Sequence, residues 1–175
     1  MKRTLLEEGR VFLRLPHLED LRAFLRAVRA SRQLHRGWVT PPSTPKAYRE
    51  YLQRKDTAQH LVVDRERGGL VGIINLNNIV LGNFQSAALG YYAFADFAGR
   101  GLMKEGLLLV LQHAFEDLRL HRVEANIQPG NKASLALVKS CGFVKEGFSR
   151  KMLKVSGRWS DHERWALLAE DFKAR

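Results

Sequence analysis

The chain of 175 residues has a single cysteine, Cys141, so no internal disulfide can form. Proline is scarce, and three of the five prolines are Pro41, Pro42 and Pro45, which leaves long stretches free for helix and strand. No apolar run approaches the ~18 residues that cross a bilayer, and the N-terminal MKRTLLEEGR lacks an apolar signal core. A cytoplasmic protein is therefore expected. No second histidine or cysteine stands at ligand spacing, so no metal is expected. Acid is also short: 18 Asp and Glu oppose 29 Lys and Arg, for a net charge of +11. That excess suits a polyanion such as nucleic acid, a ribosome or a phosphorylated cofactor, or is simply a solvated arginine-rich surface.

What remains is ordinary for a globule. A 45% hydrophobic and 27% charged composition, with no repeats, tracts or linkers, fits one domain over residues 1–175.

Alternation over Arg10 to Leu15 gives an opening strand, and Leu18, Leu21, Phe24, Leu25 and Val28 then recur at helical spacing after Pro16. Leu34 to Pro45 reads as a loop holding Trp38. Thr44 followed by Pro45 starts a second short helix that carries Tyr48, Tyr51 and Leu52. His60 to Asp64 and Leu70 to Val80 form antiparallel strands around a turn at Arg67 to Gly69; Asn75, Asn77 and Asn78 mark the second as bulged or ligand-facing at its end. Ala87 to Phe94 is the next strand, followed by a long helix over Lys104 to Leu118, a strand over Arg122 to Ile127, and a helix capped by Asn131 and ended by Gly142. Two final strands, Val144 to Val155 and Trp159 to Ala169, flank a turn at Ser156 to Arg158.

Ala98 to Leu108, AGRGLMKEGLL, organises this order. Gly99 and Gly101 let the backbone fold tightly and present N–H groups, while the following helix adds its positive end, a combination suited to pyrophosphate.

The element order, with glycines after the fourth strand and Asn131 opening the helix after the fifth, resembles the GCN5-related N-acetyltransferase (GNAT) superfamily. NxNNxVxGxF at Asn75 to Phe84, LGY at Leu89 to Tyr91, GRGLMxEGL at Gly99 to Leu107, HRVEANxxPxNKxS at His121 to Ser134, GFxxEG at Gly142 to Gly147 and GxWxDH at Gly157 to His162 are similar to the ribosomal-protein alanine N-acetyltransferases of the RimJ and RimL type.

The resemblance implies an α/β GNAT fold: one mixed, mostly antiparallel sheet, a splay between the fourth and fifth strands, and helices on both faces. It implies acetyl-coenzyme A as cosubstrate, its pyrophosphate held by Gly99, Arg100, Gly101, Leu102, Met103 and Lys104, its pantetheine arm along Tyr91, Tyr92 and Ala93, and Asn131 against that arm. The sequence departs from the family pattern in two respects. Ala98 and Met103 replace the first and last residues of Q/RxxGxG/A, and Val138 stands seven residues after Asn131, where some members place a tyrosine that protonates the leaving thiolate. Ser134 resembles the serine that RimL-type enzymes offer for this role; a helix first-turn serine is the simpler reading.

Acetyl transfer to an amine needs the amine neutral and the thiolate stabilised. Glu124 is a candidate base, with Asn126 on the same strand face ordering a water; an ion pair with an arginine is the alternative. Trp38, Asn75, Asp161 and His162 are candidates for the acceptor side, and Asp161 and His162 read equally as a surface turn pair. The implied activity is transfer to the N-terminal α-amine of a protein, a ribosomal protein with N-terminal alanine or another small residue, by a monomer or homodimer in contact with ribosomal RNA. A small-molecule amine acetyltransferase and a non-catalytic RNA-binding module of the same fold are the alternatives.

Overall fold

The computed structural model describes residues 4–173. Its elements are β1 Thr4–Glu8, β2 Val11–Arg14, α1 Leu21–Ala30, α2 Arg32–His35, α3 Pro45–Leu52, β3 Thr57–Asp64, β4 Leu70–Val80, β5 Ser86–Ala93, α4 Leu102–Gln112, β6 Arg122–Ile127, α5 Lys132–Ser140, β7 Val144–Val155, β8 Arg158–Leu168 and α6 Ala169–Lys173. The strands make one sheet in the order β1-β2-β3-β4-β5-β6-β8-β7. Every pairing is antiparallel except β5 with β6.

Strand alternation sorts the apolar residues onto two faces. One buries Val62, Ile74, Val123, Ala125 and Trp165 against α4 and α5; the other buries Leu61, Val63 and Ile73 against α1 and α3. The helix α4 is buried along most of its length. A Cβ on Gly106 would fall 2.8 Å from Val62 Cγ1, so this glycine lets α4 lie close on β3. On the other face Phe24 meets Tyr48 at 4.4 Å and Phe94 edge-on at 5.7 Å, locking α1 to α3 and the end of β5.

The parallel ladder of β5 and β6 runs from Ser86–Arg122 to Leu89–Ala125 and stops, although β5 continues to Ala93. This is the anticipated splay, and it leaves the β6-facing edge of Tyr91 to Ala93 without a strand partner.

The sequence reading placed no element before Arg10; β1 adds an eighth strand, turned back onto β2 at Gly9, whose φ of 58° suits glycine. The first helix does not begin at Pro16. Asp20 accepts from the His17 N–H at 2.8 Å and grips buried Arg14 at 2.7 and 2.8 Å, holding a 3-10 turn over Leu18–Asp20 before α1 starts. The expected loop from Leu34 loses two residues to α2. The last strand ends at Leu168 rather than Ala169, where Glu170 and Asp171 favour the first turn of α6. Asn78, at φ 52°, sits where the β4–β5 register shifts, which is the bulge its sequence suggested. Among the described residues, no helix is long and apolar enough to cross a membrane.

Candidate active site

Gly99 and Gly101 adopt φ of 75° and 79°, a left-handed backbone that other side chains resist. The chain turns there so that the N–H groups of Gly99, Arg100, Gly101, Leu102 and Met103 have no acceptor among the described residues; hydrogen bonding resumes with the Lys104 N–H on the Gly101 carbonyl at 3.0 Å. Consecutive unpaired donors at a helix N-terminus form an anion cradle. Its arginine does not point inward: Arg100 lies over the Phe97 ring at 5.6 Å, and the Leu102 side chain is in the core. The cradle is therefore backbone, with Lys104 alone of its cationic side chains lining the adjoining cleft. Glu105 takes no part, since it is bound to Arg10 Nε at 2.8 Å.

That cleft has a volume of about 500 Å³ and runs from Gly99, Gly101 and Met103 past Ala93, Tyr92 and Tyr91 to Asn131 and Ser134. Its walls are bolted together. Ser31 Oγ accepts from the Ala95 N–H at 2.8 Å, and His35 Nε2–H donates to the Ala93 carbonyl at 2.7 Å, tying α1 and α2 to the free edge of β5. Burial lowers the pKa of His35, which favours a neutral ring with its Nδ1 unprotonated.

A second cleft of about 290 Å³ meets the first at Trp38, Val39, Tyr91, Tyr92, Asn131 and Ser134. Its wall includes Asn75, Asn77, Asn126 and Gln128, one cation, Arg54, and no carboxylate. His162 lines it too. Its Nδ1–H donates to the Ser160 carbonyl at 2.9 Å, so a neutral His162 keeps its Nε2 lone pair. Trp38 packs over Gly130, where an added Cβ would lie 3.2 Å from the indole, and Gln128 holds the neighbouring Gly37 carbonyl at 3.0 Å.

At the junction, Asn131 Oδ1 caps α5 by accepting the Ser134 N–H at 3.2 Å, and Ser134 Oγ shares a short hydrogen bond with the Tyr91 hydroxyl. Burial pushes the Tyr91 phenol up to about 12, partly opposed by the Ser134 hydrogen bond, so it holds its proton at neutral pH. Val138 is fully buried and supplies nothing here. Among the described residues, three buried side-chain polar atoms lack any partner: His35 Nδ1, Tyr92 Oη and Asn126 Oδ1. All three residues line these clefts, although the atoms themselves are buried.

The structure thus brings Trp38, Asn75, Asn126, Asn131, Ser134 and His162 around one junction and separates others from it. Glu124 lines neither cleft and is bound to Arg122 Nε at 2.8 Å, which is the ion-pair reading. Asp161 lies within β8 rather than in a turn, accepts the Lys151 N–H at 2.8 Å, holds a bulge in β7 and lines neither cleft. Tyr92 turns its side chain to the α1–α3 face, opposite Tyr91, and lines both clefts. Sequence reasoning missed the Tyr91 hydroxyl and His35; the adjacency of Tyr91 and Tyr92 in a strand was the available sign that one phenol enters each face.

Residues 10–144 match the family model described as the acetyltransferase (GNAT) domain. Over 109 residues, 62% of this chain, the sequence is 35% identical to the ribosomal protein uS5-alanine N-acetyltransferase of Escherichia coli (strain K12) and spans 56% of that protein. Mycobacterium smegmatis RimJ, solved in complex with CoA-disulfide, has a TM-score of 0.84 and 26% identity, covering 91% of this chain and 82% of its own. A mutant of the spermidine N-acetyltransferase SpeG from Vibrio cholerae has a TM-score of 0.77 over 96% of this chain and 100% of its own; at 20% identity it shares the fold alone.

Proposed function

Because the chain belongs to the GNAT acetyltransferase family, we propose that it moves acetyl from acetyl-coenzyme A to the N-terminal α-amine of a protein, a ribosomal protein beginning with alanine or another small residue. The observation that carries this reading is the meeting of a phosphate-cradling cleft with a carboxylate-free one at Tyr91, Asn131 and Ser134. A polyamine acceptor needs anionic groups to replace its water; this wall offers amides, a phenol and an imidazole. Those suit a neutral amine beside peptide groups. The similarity to uS5-alanine acetyltransferase supports a ribosomal acceptor.

Acetyl-coenzyme A supplies the activated thioester. The free N–H groups of Gly99 to Met103 hold its pyrophosphate, with Lys104 beside them, and the unpartnered edge of Tyr91 to Ala93 receives the amides of its arm. His35 fixes Ala93 in place, and Asn131, which lines both clefts, contacts the arm. In the second cleft Tyr92 Oη and Asn126 Oδ1 hold the incoming amine, and His162 Nε2 takes one of its protons. An α-amine has a pKa near 8, against about 10.4 for lysine, so a weak base suffices at neutral pH. The nitrogen attacks the thioester carbonyl carbon; the C–N bond forms and the C–S bond breaks. Ser134 Oγ relays a proton to the departing sulfur as Tyr91 passes its own to Ser134, and Tyr91 regains a proton from solvent, into which His162 releases the one taken from the amine.

The test is acetyl-coenzyme A with peptides copying ribosomal-protein N-termini, their N-blocked forms, and spermidine. Label on the free α-amine alone is expected; label on spermidine alone would reject the reading.

A further inference from the structure

Beside the acceptor cleft lies a basic notch that acetyl transfer does not use. It has a volume of about 270 Å³ and is lined by Arg29, Arg32, Arg36, Thr40, Ser43 and Ser156, among others, none of them acidic. The arginines follow one another along α1 and α2 about every turn, roughly 5 Å apart. All three are exposed, and none has an ion-pair partner among the described residues. Arg10, Arg14 and Arg122, by contrast, each hold a carboxylate, while Arg22 and Arg26 extend along α1 the exposed cations that are unpaired among the described residues. The far wall is the β7–β8 turn at Ser156, flanked by exposed Lys154 and Arg158, with Trp159 60% exposed and paired in register with Lys154.

We propose that this notch docks RNA backbone. A row of unpaired guanidinium groups with hydroxyls between them matches successive phosphates, and an exposed indole among cations offers a face on which an unpaired base stacks. The site also has a place in the architecture. His35 and Val39 line both the notch and the cofactor cleft, and Val155, next to Ser156, lines the acceptor cleft. RNA held there sets the mouth of the acceptor cleft against whatever protein that RNA carries. This deepens the ribosomal-acceptor reading but is tested by binding alone, so the two can fail separately.

The experiment titrates a labelled RNA stem-loop with the full chain at 50 to 200 mM salt. It compares wild type, R29Q/R32Q/R36Q, and R49Q/R67Q/K173Q, a control that loses the same charge elsewhere. Thermal unfolding confirms that each variant is folded. The wild type should bind with affinity that falls steeply with salt; the notch variant should lose about two units of the log–log slope, at ~0.7 per phosphate contact, and the control less than one. W159A should weaken binding to the loop and leave binding to a blunt duplex unchanged. Absence of wild-type binding at 50 mM salt, or equal losses in the notch and control variants, would overturn the proposal.

Discussion

The Tyr91 hydroxyl and Ser134 Oγ share a hydrogen bond where the cofactor and acceptor clefts meet, one group from β5 and the other from the first turn of α5. In the proposed mechanism this pair takes the proton-donor role for which Val138 has no hydroxyl.

If the two hydroxyls act as one donor, S134A and Y91F each lower kcat by about 10²-fold, with the KM for acetyl-coenzyme A within a few-fold of wild type. The double variant costs little more than either alone. Steady-state kinetics of the three variants check this; additive losses would mean separate roles.

The cradle predicts a backbone effect. At φ 79°, Gly101→Ala forces a left-handed alanine at the N-terminus of α4, at a cost of about 1 to 2 kcal/mol, and turns the donors away from the phosphates. Coenzyme A binding by calorimetry should weaken by about tenfold, whereas removing the Arg100 guanidinium, which lies on Phe97, should change it little.

Much of this site was legible in the sequence because its signals are local. Two glycines between strand and helix, and an asparagine capping α5, are each read from a few neighbouring residues. Glu124 could also have been set aside, since Arg122 stands two residues earlier on the same face of β6. What the sequence hid is mostly long-range, His35 bonded to Ala93 across 58 positions and Tyr91 to Ser134 across 43; it also hid burial, since Arg14 and Asp20, only six residues apart, look like ordinary surface and form a buried charge pair.

That last pair holds the turn that starts α1. Asp20→Asn leaves Arg14 buried without its counter-charge, and the protein should lose about 3 kcal/mol in chemical denaturation.

Acid should destabilise the fold through histidine. Buried His60 donates Nδ1–H to the Ile74 carbonyl at 3.0 Å, 5.3 Å from the His113 ring; burial first, then His113, lowers its pKa to about 4. The unfolded chain takes this proton near 6.5, so the contribution is complete above that pH and is lost as pH falls towards 4, at up to ~1.4 kcal/mol per pH unit. His35, also lowered by burial, acts in the same direction. Denaturation between pH 7 and 4.5 should show a slope that His60→Gln reduces.

The amine-holding groups should separate from the acid. Y92F and N126A should raise the acceptor KM severalfold with the KM for acetyl-coenzyme A little changed, and H162Q should lower kcat with both KM values little changed. Kinetics at fixed saturating acetyl-coenzyme A read both.

The central claim is tested most directly by locating the acetyl group. Mass mapping of a ribosomal-protein N-terminal peptide carrying an internal lysine, after incubation with the enzyme and acetyl-coenzyme A, should find acetyl on the α-nitrogen and none on the lysine or on added spermidine. Acetyl on spermidine or lysine with a free α-amine would contradict the account.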